Sequence, residues 1–372
     1  MEVALALADR GHEPVLWNAS DFPTRQTASI DIQGEHVGWE ISGSCLDGGR
    51  PPFDVVWFRR PTPPVLPGDM HPGDLPVAQR ECRHLLRGLY QMAAPEAFWV
   101  NPLKSDPRAA LKAPQLAAAV RAGLNVPRTL ISNDPSRIRS FLKELRGRTV
   151  YKPFQASQWE DEGLMAVLLT SEVAVEDLPS DDTLRLTPGI FQEKIDKAHE
   201  LRVTIMGAHV VTARLLSQES AATRLDWRMP GTKIRVEPDR LPEEVERACR
   251  RLMRDLGIVF GCFDFIVTPE GAHVFLEVNP AGQFLWIEEA QPEIRLLAPF
   301  VDFLLARRRG FRWRSTKGGV RHADYYPAAC ARIEAEGPLH VPPDDREYIS
   351  SDRPDGSFAE ARTPEPLSPR AF

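Results

Sequence analysis

The sequence predicts a mixed α/β (α+β) protein built from two or three packed units. Segments with the helical spacing of apolar residues alternate with short β-branched and aromatic runs along most of its 372 residues. A chain of this length can bury more than one sizeable core. The apolar fraction of 42% and the charged fraction of 26% are ordinary for globular proteins.

The composition argues against several classes of protein. A net charge of −6 gives no general reason to expect nucleic acid or an anionic membrane as a partner. The five cysteines are scattered without a Cys-x-x-Cys pair, which favours reduced thiols in a cytoplasmic protein over a zinc or disulfide framework. The sequence has no apolar run of transmembrane length, and its start lacks the basic leading region of a signal peptide.

Residues 1–103 are predicted to form a first α/β unit. The predicted elements are helices at residues 1–10 and 76–93 and strands at residues 14–17 and 54–61, and residues 98–102 close the unit. A β-α-β unit should begin with a strand, and none precedes the first helix. We therefore expect the chain to start about ten residues late within this unit.

The rest of the chain is predicted to continue the alternation of helices and strands. Gly123 is a suitable C-cap for the first helix of this part. The predicted helices are residues 107–122, 135–145, 242–256 and 287–306, and the predicted strands are residues 126–131, 149–153, 191–195, 201–206, 209–215, 263–267 and 274–279.

Residues 313–372 are predicted to be a basic linker followed by a disordered, proline-rich tail. Seven basic residues and no acidic ones lie between Arg307 and Arg321, interleaved with Phe311 and Trp313. This pattern is compatible with nucleic-acid binding, but a solvated helix terminus and linker is the favoured interpretation. Beyond Gly337 the chain is polar and poor in core residues, which predicts disorder.

The last two predicted strands carry a candidate metal site. Glu277 and Asn279 are two apart and therefore share one face of their strand. If residues 270–271 form a two-residue hairpin loop, Asp264 lies directly opposite Glu277. Carboxylate and amide oxygens suit a hard cation. The alternative is a solvated strand face, which the apolar flanking residues disfavour.

Residues 274–288 read Val-Phe-Leu-Glu-Val-Asn-Pro-Ala-Gly-Gln-Phe-Leu-Trp-Ile-Glu and resemble the metal-binding end of the ATP-grasp ligases. The local form is similar to the maturases that close ester and amide rings on microviridin-type (graspetide) peptides. The resemblance covers residues 101–306, with a weaker match before them. It implies an ATP-grasp fold with an N-terminal pre-ATP-grasp α/β domain. The implied domains are residues 1–103, a central lobe at 104–190 and a C-terminal lobe at 191–312.

The resemblance also implies a set of ligand-binding residues. Lys112 begins the pattern Lys-x-x-Gln-Leu, followed by Gly-Leu-x-Val-Pro-x-Thr, and Lys152 follows an apolar β-run. Judged alone, Lys112 would be an exposed helix residue, whereas a lysine on an apolar strand needs an anion or water. The implied roles are Mg²⁺ ligands (Asp264, Glu277, Asn279), ATP phosphate contacts (Lys112, Lys152), adenine contacts (Glu193, Lys194, Ile195) and a ribose contact (Glu200). For the adenine and ribose contacts, ordinary edge-strand charges are an equally good explanation.

Two arginines are the candidate catalytic residues. Arg202 shares a strand face with Glu200, and the resemblance implies that it neutralises charge on the transferred phosphate. Arg228, in Asp226-Trp227-Arg228, resembles a residue that faces the acceptor carboxylate. A simple loop ion pair between Asp226 and Arg228 is the alternative. The strand end Arg59-Arg60-Pro61 also has counterparts among the peptide maturases, and solvated charges explain it equally well.

The predicted function is an ATP-dependent carboxylate ligase that acts through an acyl phosphate. The resemblance implies a precursor peptide with a leader and an acidic core as partner, with residues 209–236 as the candidate leader contact. ATP and Mg²⁺ are the implied cofactors, and neither nucleic acid nor a membrane is expected. The alternatives are a ligase that adds an amino acid to a protein or small peptide, and a nucleotide-binding protein without turnover. A homodimer is considered, although the sequence leaves the oligomeric state open.

Overall fold

The computed structural model describes residues 1–43, 45–46, 53–154, 157–161, 164–168, 170–228, 232–314 and 319–341. The helices within them are α1 (Glu2–Ala8), α2 (Leu75–Ala93), α3 (Asp106–Ala110), α4 (Lys112–Arg121), α5 (Pro135–Glu144), α6 (Asp181–Leu186), α7 (Glu243–Leu256), α8 (Leu285–Ala290), α9 (Leu297–Ala306) and α10 (His322–Glu336). The strands are β1 (Thr27–Gln33), β2 (His36–Ser42), β3 (Val55–Trp57), β4 (Phe98–Val100), β5 (Thr129–Ser132), β6 (Thr149–Lys152), β7 (Ser157–Asp161), β8 (Leu164–Leu168), β9 (Ser171–Glu172), β10 (Gly189–Glu193), β11 (His199–Met206), β12 (His209–Leu215), β13 (Val236–Asp239), β14 (Phe260–Val267) and β15 (His273–Asn279).

A five-stranded antiparallel sheet forms the largest structural layer, in the order β13-β12-β11-β14-β15. Side chains alternate between its two faces. Phe263 and Phe265 pack in the core that includes α4 and α7, whereas Phe260 and Cys262 belong to the core that includes α8 and α9. Burial on both faces explains why β14 is apolar along most of its length.

A second, four-stranded antiparallel sheet runs in the order β5-β10-β6-β9. Its core is small, with Ile138 and Leu142 of α5 packed against Phe191 of β10. Helix α5 begins where the Asp134 side chain accepts hydrogen bonds from the amides of Ser136 and Arg137, which is an ordinary N-cap. Lys152 is the last residue of β6, which lies between β10 and β9.

The first part of the chain joins the large sheet through Asn101. Strands β3 and β4 pair in parallel, and Asn101 follows β4 directly. The Asn101 amide group donates to the carbonyl oxygens of Phe260 and Pro280, and its oxygen accepts from the amides of Val259 and Phe260. A buried side chain with four hydrogen bonds fixes this junction beside the end of β15.

The hairpin of β14 and β15 places Asp264 opposite Glu277, as the sequence predicts. The predicted two-residue loop is wrong. Thr268 donates to Ala272, so the loop has the three residues Pro269, Glu270 and Gly271, the last with φ +85°. The register then shifts by one residue between the Asp264 and Phe265 pairs, so that Leu276 is bulged.

The bulge decides which side chains of β15 face the core. Without it, Phe275 would share a face with Glu277 and Asn279, because side chains alternate along a regular strand. With Leu276 as an extra residue, Phe275 and Val278 both enter the core that contains α4 and α7. Glu277 and Asn279 stay on the opposite face.

Two long predicted helices are each broken. The helix expected at residues 107–122 divides at Leu111, which is extended, because Pro114 has no amide proton for the carbonyl of Ala110. The helix expected at residues 287–306 divides into α8 and α9, because Pro292 prevents continuation in the same way.

Other predicted segments also differ from the structure. Residues 14–17 form no strand, although Val15 and Trp17 pack against the core of the first unit. The linker expected from residue 313 onwards contains α10, whose His322 and Ala329 are buried. The sequence pattern did not predict β1, β2, β4, β7, β8, β9, β13 or α6. Disorder was expected beyond Gly337, but His340 and Val341 bind the carboxylate of Asp21, so the prediction is wrong for residues 338–341. The rest of the expected tail, residues 342–372, lies outside the described residues. In the part of the chain that the structure describes, no helix is long and apolar enough to cross a membrane.

Candidate active site

Arg202 and Asp264 form a buried ion pair between β11 and β14. They are directly opposed in the strand register, and Arg202 Nη1 lies 2.8 Å and 2.9 Å from the two carboxylate oxygens. Arg202 Nη2 donates to the carbonyl of Gln283 at 3.0 Å. Burial disfavours the charged guanidinium, but the Asp264 charge outweighs it and raises the pKa of Arg202. Arg202 Nε is buried and has no hydrogen-bond partner among the described residues.

Glu277 faces two cations from other elements. Lys112 at the start of α4 forms an ion pair with Oε2, and Arg228 Nη1 lies 3.9 Å from Oε1. Burial, with a smaller contribution from Arg228, lowers the pKa of Lys112 to about 8 against the opposing attraction of Asp264. The carboxylate is therefore partly neutralised by residues that can also bind an anionic ligand.

Gln115 fixes Lys112 relative to β15. Its buried amide nitrogen donates to the carbonyl oxygens of Ala109 and Val278, and its oxygen accepts from the amide of Val278. These bonds tie α4 to the strand between Glu277 and Asn279. The glutamine is the fourth residue of the pattern that begins at Lys112.

The three predicted metal ligands share one region of the sheet. Asp264 and Glu277 are cross-strand partners, and Asn279 is opposite Cys262, on the same face. Asn279 Oδ1 accepts from the amide of Ala281 at 3.0 Å. Across the described residues, no three His, Cys, Asp or Glu side chains group as a metal site. Two carboxylates and one amide fit Mg²⁺, which takes few protein ligands and retains water or phosphate oxygens.

Lys152 brings a second lysine to the site from the four-stranded sheet. Its Nζ donates to Gln192 Oε1 at 2.7 Å, and Gln192 donates in turn to Thr129 Oγ1 at 2.9 Å. Burial, followed by repulsion from Arg228 and Lys197, lowers the pKa of Lys152 to about 8. Arg228 follows β12 and Lys197 precedes β11, so their charges bring Lys152 into the electrostatic environment of the Glu200 and Asp226 region.

The predicted adenine contacts lie at the end of β10. The amides of Glu193 and Lys194 donate to the carbonyl oxygens of Arg128 and Arg148 at 2.8 Å and 2.9 Å. The Lys194 side chain forms an ion pair with Glu172. A base bound here would therefore use backbone carbonyls or the amide of Ile195 rather than the amides of Glu193 and Lys194.

Glu200 is a buried carboxylate at the start of β11. Lys197 Nζ lies 2.7 Å from Oε1, and Ser217 Oγ donates to the same oxygen at 3.0 Å. Burial raises the pKa of Glu200 despite the Lys197 charge. The predicted ribose contact is thus a carboxyl group that Lys197 and Ser217 hold in place.

Asp226 and Arg228 form the ion pair that the sequence left as an alternative. Arg228 Nε and Nη2 lie 2.9 Å and 2.8 Å from the two oxygens of Asp226. Burial opposes ionisation of Asp226, but the hydrogen bonds from Arg228 dominate and lower its pKa to about 2. The guanidinium also approaches Glu277, so the ion pair belongs to the site. Between the pair, Trp227 stacks on Trp286 with centroids 5.0 Å apart.

The site therefore combines cations and oxygen ligands from both sheets, from the start of α4 and from the segment that follows β12. Its cations are Lys112, Lys152, Arg202 and Arg228, and its carboxylates are Glu200, Asp226, Asp264 and Glu277, whereas Lys197 is bound to Glu200 and the Leu225 carbonyl. A polyphosphate with a bound divalent cation matches such a set, because the phosphates meet the cations and the metal meets the carboxylates.

Several solved structures with a similar architecture are ATP-grasp ligases. An ATP-grasp ligase associated with ribosomally synthesised, post-translationally modified peptides (RiPPs) in Chryseobacterium gregarium is 26% identical, with a TM-score of 0.73, over 84% of this chain and 95% of that one. The macrocyclase MdnC from Microcystis aeruginosa is 29% identical, with a TM-score of 0.69, over 82% and 94% of the two chains. The protein is an ATP-grasp ligase. A further similar structure is the ATP-grasp ligase PsnB, 25% identical with a TM-score of 0.64 over 82% and 94%.

These structures were solved with different ligands. The Chryseobacterium structure contains ADP with a leader and core peptide, the MdnC structure contains its precursor peptide MdnA, and the PsnB structure contains a precursor variant, Mg and ADP. No protein-family model matches the ligase, and no curated protein matches it. The similarity extends over most of the chain, which confirms the predicted ATP-grasp fold.

Several residues that shape the site of the ligase were missed in the sequence. Gly282 approaches the site so closely that a Cβ there would lie 2.6 Å from Cys262 Cβ and 3.0 Å from Arg202 Nη2. The sequence pattern did not predict Lys197 as a site residue. It lies three residues before Glu200, in a segment that precedes a buried strand. Gly282 ends the Pro-Ala-Gly sequence that follows Asn279, but sequence spacing alone does not reveal its contact with Arg202.

Two other motifs have structural partners in the ligase. Glu288, the last residue of the quoted segment, is 3% exposed and accepts hydrogen bonds from the amides of Leu296, Leu297 and His322. It therefore caps α9 and the start of α10. Arg59 lies over the ring of Trp57 at 5.4 Å.

Proposed function

We propose that the ligase activates a carboxylate with ATP and transfers it to a hydroxyl or amine within a ribosomally made precursor peptide. The γ-phosphoryl group passes to the carboxylate, giving an acyl phosphate and ADP. A Ser, Thr or Lys side chain of the peptide then attacks the carbonyl, and inorganic phosphate leaves. The product is an ester or amide ring.

The cluster of cations and carboxylates in the candidate active site is the observation that carries this proposal. Asp264, Glu277 and Asn279 would hold Mg²⁺, which supplies charge neutralisation for phosphoryl transfer. Lys112, Lys152 and Arg202 would bind phosphate oxygens. The nucleotide base and ribose would bind at residues 193–195 and at Glu200.

The acceptor end is assigned to Arg228. Its guanidinium is held by Asp226 and still reaches within 3.9 Å of Glu277, the proposed metal ligand. A planar, permanently charged donor at that place suits a carboxylate or an acyl phosphate. A peptide substrate is supported by the three similar enzymes that were solved with precursor peptides.

Mass spectrometry of a cognate precursor incubated with the protein, ATP and Mg²⁺ tests the proposal. The expected product has lost one molecule of water for each ring, with one ADP released per ring. A mass increase by an amino-acid residue would instead identify the ligase that adds amino acids. Nucleotide binding without precursor-dependent ADP release would contradict catalysis altogether.

Replacing Glu277 by Gln tests the metal ligand. Glu277→Gln keeps the shape of the side chain but removes its charge, so we expect a correctly folded protein with turnover lowered about 100-fold or more. Glu270→Gln is the matched control, because Glu270 is exposed in the turn of the same hairpin. Turnover by Glu277→Gln equal to that of the control would place the metal elsewhere.

We further propose that residues 209–236 contact the leader of the precursor and that the ligase acts as a homodimer in the cytoplasm. Cross-linking of a photoreactive leader peptide would identify the contact. Sedimentation of the purified protein would give its oligomeric state, and fractionation of the producing cells would give its location.

A further inference from the structure

Glu200 anchors both ends of one loop. The loop runs from Ser217 to Leu225, and Ser217 Oγ donates to Glu200 Oε1 at 3.0 Å. At the other end, Lys197 bridges Glu200 Oε1 at 2.7 Å and the carbonyl of Leu225 at 2.8 Å. The loop also binds itself, since Thr223 Oγ1 donates to the Ser217 carbonyl at 2.7 Å.

The loop leads directly into the acceptor side of the site. Leu225 precedes Asp226, whose carboxylate holds Arg228 through two hydrogen bonds. Trp227 is stacked on Trp286, so the segment is held on its far side by α8. A change at the Leu225 carbonyl is therefore passed along only three residues before it reaches Arg228.

Lys197 joins two groups of different character. Its ammonium has three protons and binds one carboxylate and one neutral carbonyl, and its side chain is 12% exposed. Little water screens these charges. The hydrogen bond from Lys197 to the Leu225 carbonyl therefore becomes weaker when Lys197 interacts more strongly with the Glu200 carboxylate. Additional hydrogen-bond donors at the Glu200 carboxylate would weaken the interaction between Glu200 and Lys197.

We propose that Lys197 is a positioning residue that couples nucleotide binding at Glu200 to the placement of the loop carrying Arg228. The inference rests on the proposed function, which puts the nucleotide at Glu200. A nucleotide whose hydroxyls donate to Glu200 frees Lys197 to hold the Leu225 carbonyl more firmly. The segment that carries Arg228 is then held more firmly for the acceptor when nucleotide is present.

Hydrogen exchange of the loop, with and without ADP and Mg²⁺, tests the coupling. In the unmodified protein we expect ADP to slow exchange of the amides at residues 223–228 by about tenfold. In Lys197→Gln we expect ADP to bind within about threefold of its original affinity, but without slowing this exchange. Lys197→Arg keeps the charge and several donors, so it should restore at least part of the effect.

Three controls make the result specific. Ser217→Ala removes the other bond to the same Glu200 oxygen, and ADP should still slow exchange at residues 223–228. Lys143→Gln changes an exposed lysine on α5 and should behave as the unmodified protein does. If Lys197→Gln leaves a buried charge that prevents folding, Lys197→Gln/Glu200→Gln removes both charges, and ADP at saturating concentration should again fail to slow the exchange.

Each outcome has a defined meaning. Slowing of exchange by ADP in Lys197→Gln, to the extent seen in the unmodified protein, would overturn the coupling role. Loss of ADP affinity in that variant by about 30-fold or more would also overturn it, because Lys197 would then be a direct nucleotide ligand. Absence of ADP binding to the unmodified protein would instead contradict the proposed function.

Discussion

Lys112 and Lys152 make the positive charge of the site depend on pH. Burial lowers the pKa of each to about 8, from an ordinary value of 10.5. The protonated lysines attract phosphate, so we expect the affinity for ADP with Mg²⁺ to fall as the pH rises through 8. Between about pH 8 and pH 10.5 the unfolded chain binds more protons at these lysines than the folded one does. The unfolding free energy should therefore rise with pH over that range.

Calorimetric titration between pH 7 and 9.5 would measure the affinity. Lys152→Arg is the informative variant, because its guanidinium stays charged over this range and should weaken the pH dependence. Arg121→Lys, an exposed change at the end of α4, should leave it unaltered. An affinity that is constant to pH 9.5 would contradict the assignment of both lysines to phosphate.

Gly282 is required by the close approach of Cys262 and Arg202. In Gly282→Ala the new Cβ would lie 2.6 Å from Cys262 Cβ, so the segment after β15 must shift. We expect a loss of about 1–3 kcal/mol in the unfolding free energy, measured by urea denaturation. Gly88→Ala, in the interior of α2 with no atom within 4 Å of the added Cβ, should gain about 0.5–1 kcal/mol. Equal effects of the two substitutions would refute the steric argument.

At the residue scale, the sequence predicts contacts that follow from local spacing. Asp264, Glu277 and Asn279 could be grouped because a hairpin has few registers and side chains alternate along it. Lys197 and Gln115 could not, because their partners Leu225 and Val278 are 28 and 163 residues away. Such contacts depend on how separate elements pack.

At the level of elements, Glu288 links the start of two helices. Its carboxylate accepts from three amides, which belong to Leu296 and Leu297 at the start of α9 and to His322 of α10. In Glu288→Ala these buried amides lose their acceptor, so we expect a loss of about 3 kcal/mol or more in the unfolding free energy. Thermal unfolding beside the exposed neighbour Glu289→Ala would measure this. A similar melting temperature for both variants would mean that water replaces the carboxylate.

The elements predicted well are those with a strong periodic signal. Helices α2, α5 and α7 and strands β11, β12, β14 and β15 were predicted close to their observed bounds. The sequence did not predict the breaks before α4 and α9, because the helical spacing of apolar residues continues through Pro114 and Pro292. Strands β1 and β2 were missed because most of their side chains are exposed, so no apolar face marks them.

On the scale of the whole molecule, α1 and α10 bring the two ends of the described chain together. His322 Nε2 lies 3.6 Å from Glu2 Oε1, and His322 is 4% exposed. Farther on, His340 and Val341 bind the buried carboxylate of Asp21. The sequence did not predict this arrangement, because no local spacing relates α10 to Glu2 or Asp21 at the other end of the chain.

The Glu2–His322 contact should stabilise the fold over a limited pH range. Its hydrogen bond to Glu2 raises the pKa of His322, so that contribution is complete below 6.5 and is lost as the pH rises through the folded value. Burial opposes ionisation of Glu2, but the bond to His322 helps to lower its pKa to about 2 from 4.5. That contribution is lost as the pH falls from 4.5 towards 2, so both are present between 4.5 and 6.5.

Calorimetry of His322→Gln at pH 5.5 and pH 9 checks this window. We expect the variant to lose about 1 kcal/mol more at pH 5.5 than at pH 9. His84→Gln, which changes an exposed histidine of α2, should show no such difference. An equal loss at both values would make the role of His322 one of packing alone.

Because of the bulge at Leu276, the pairing of Asp264 with Glu277 does not depend on the length of the hairpin loop alone. A three-residue loop and a one-residue bulge compensate each other, so Asp264 meets Glu277 as it would across a two-residue loop without a bulge. The loop can therefore gain or lose a residue during evolution if the bulge changes with it. Aligned relatives would then show paired insertions and deletions at these two places, while the carboxylates between them remain in register.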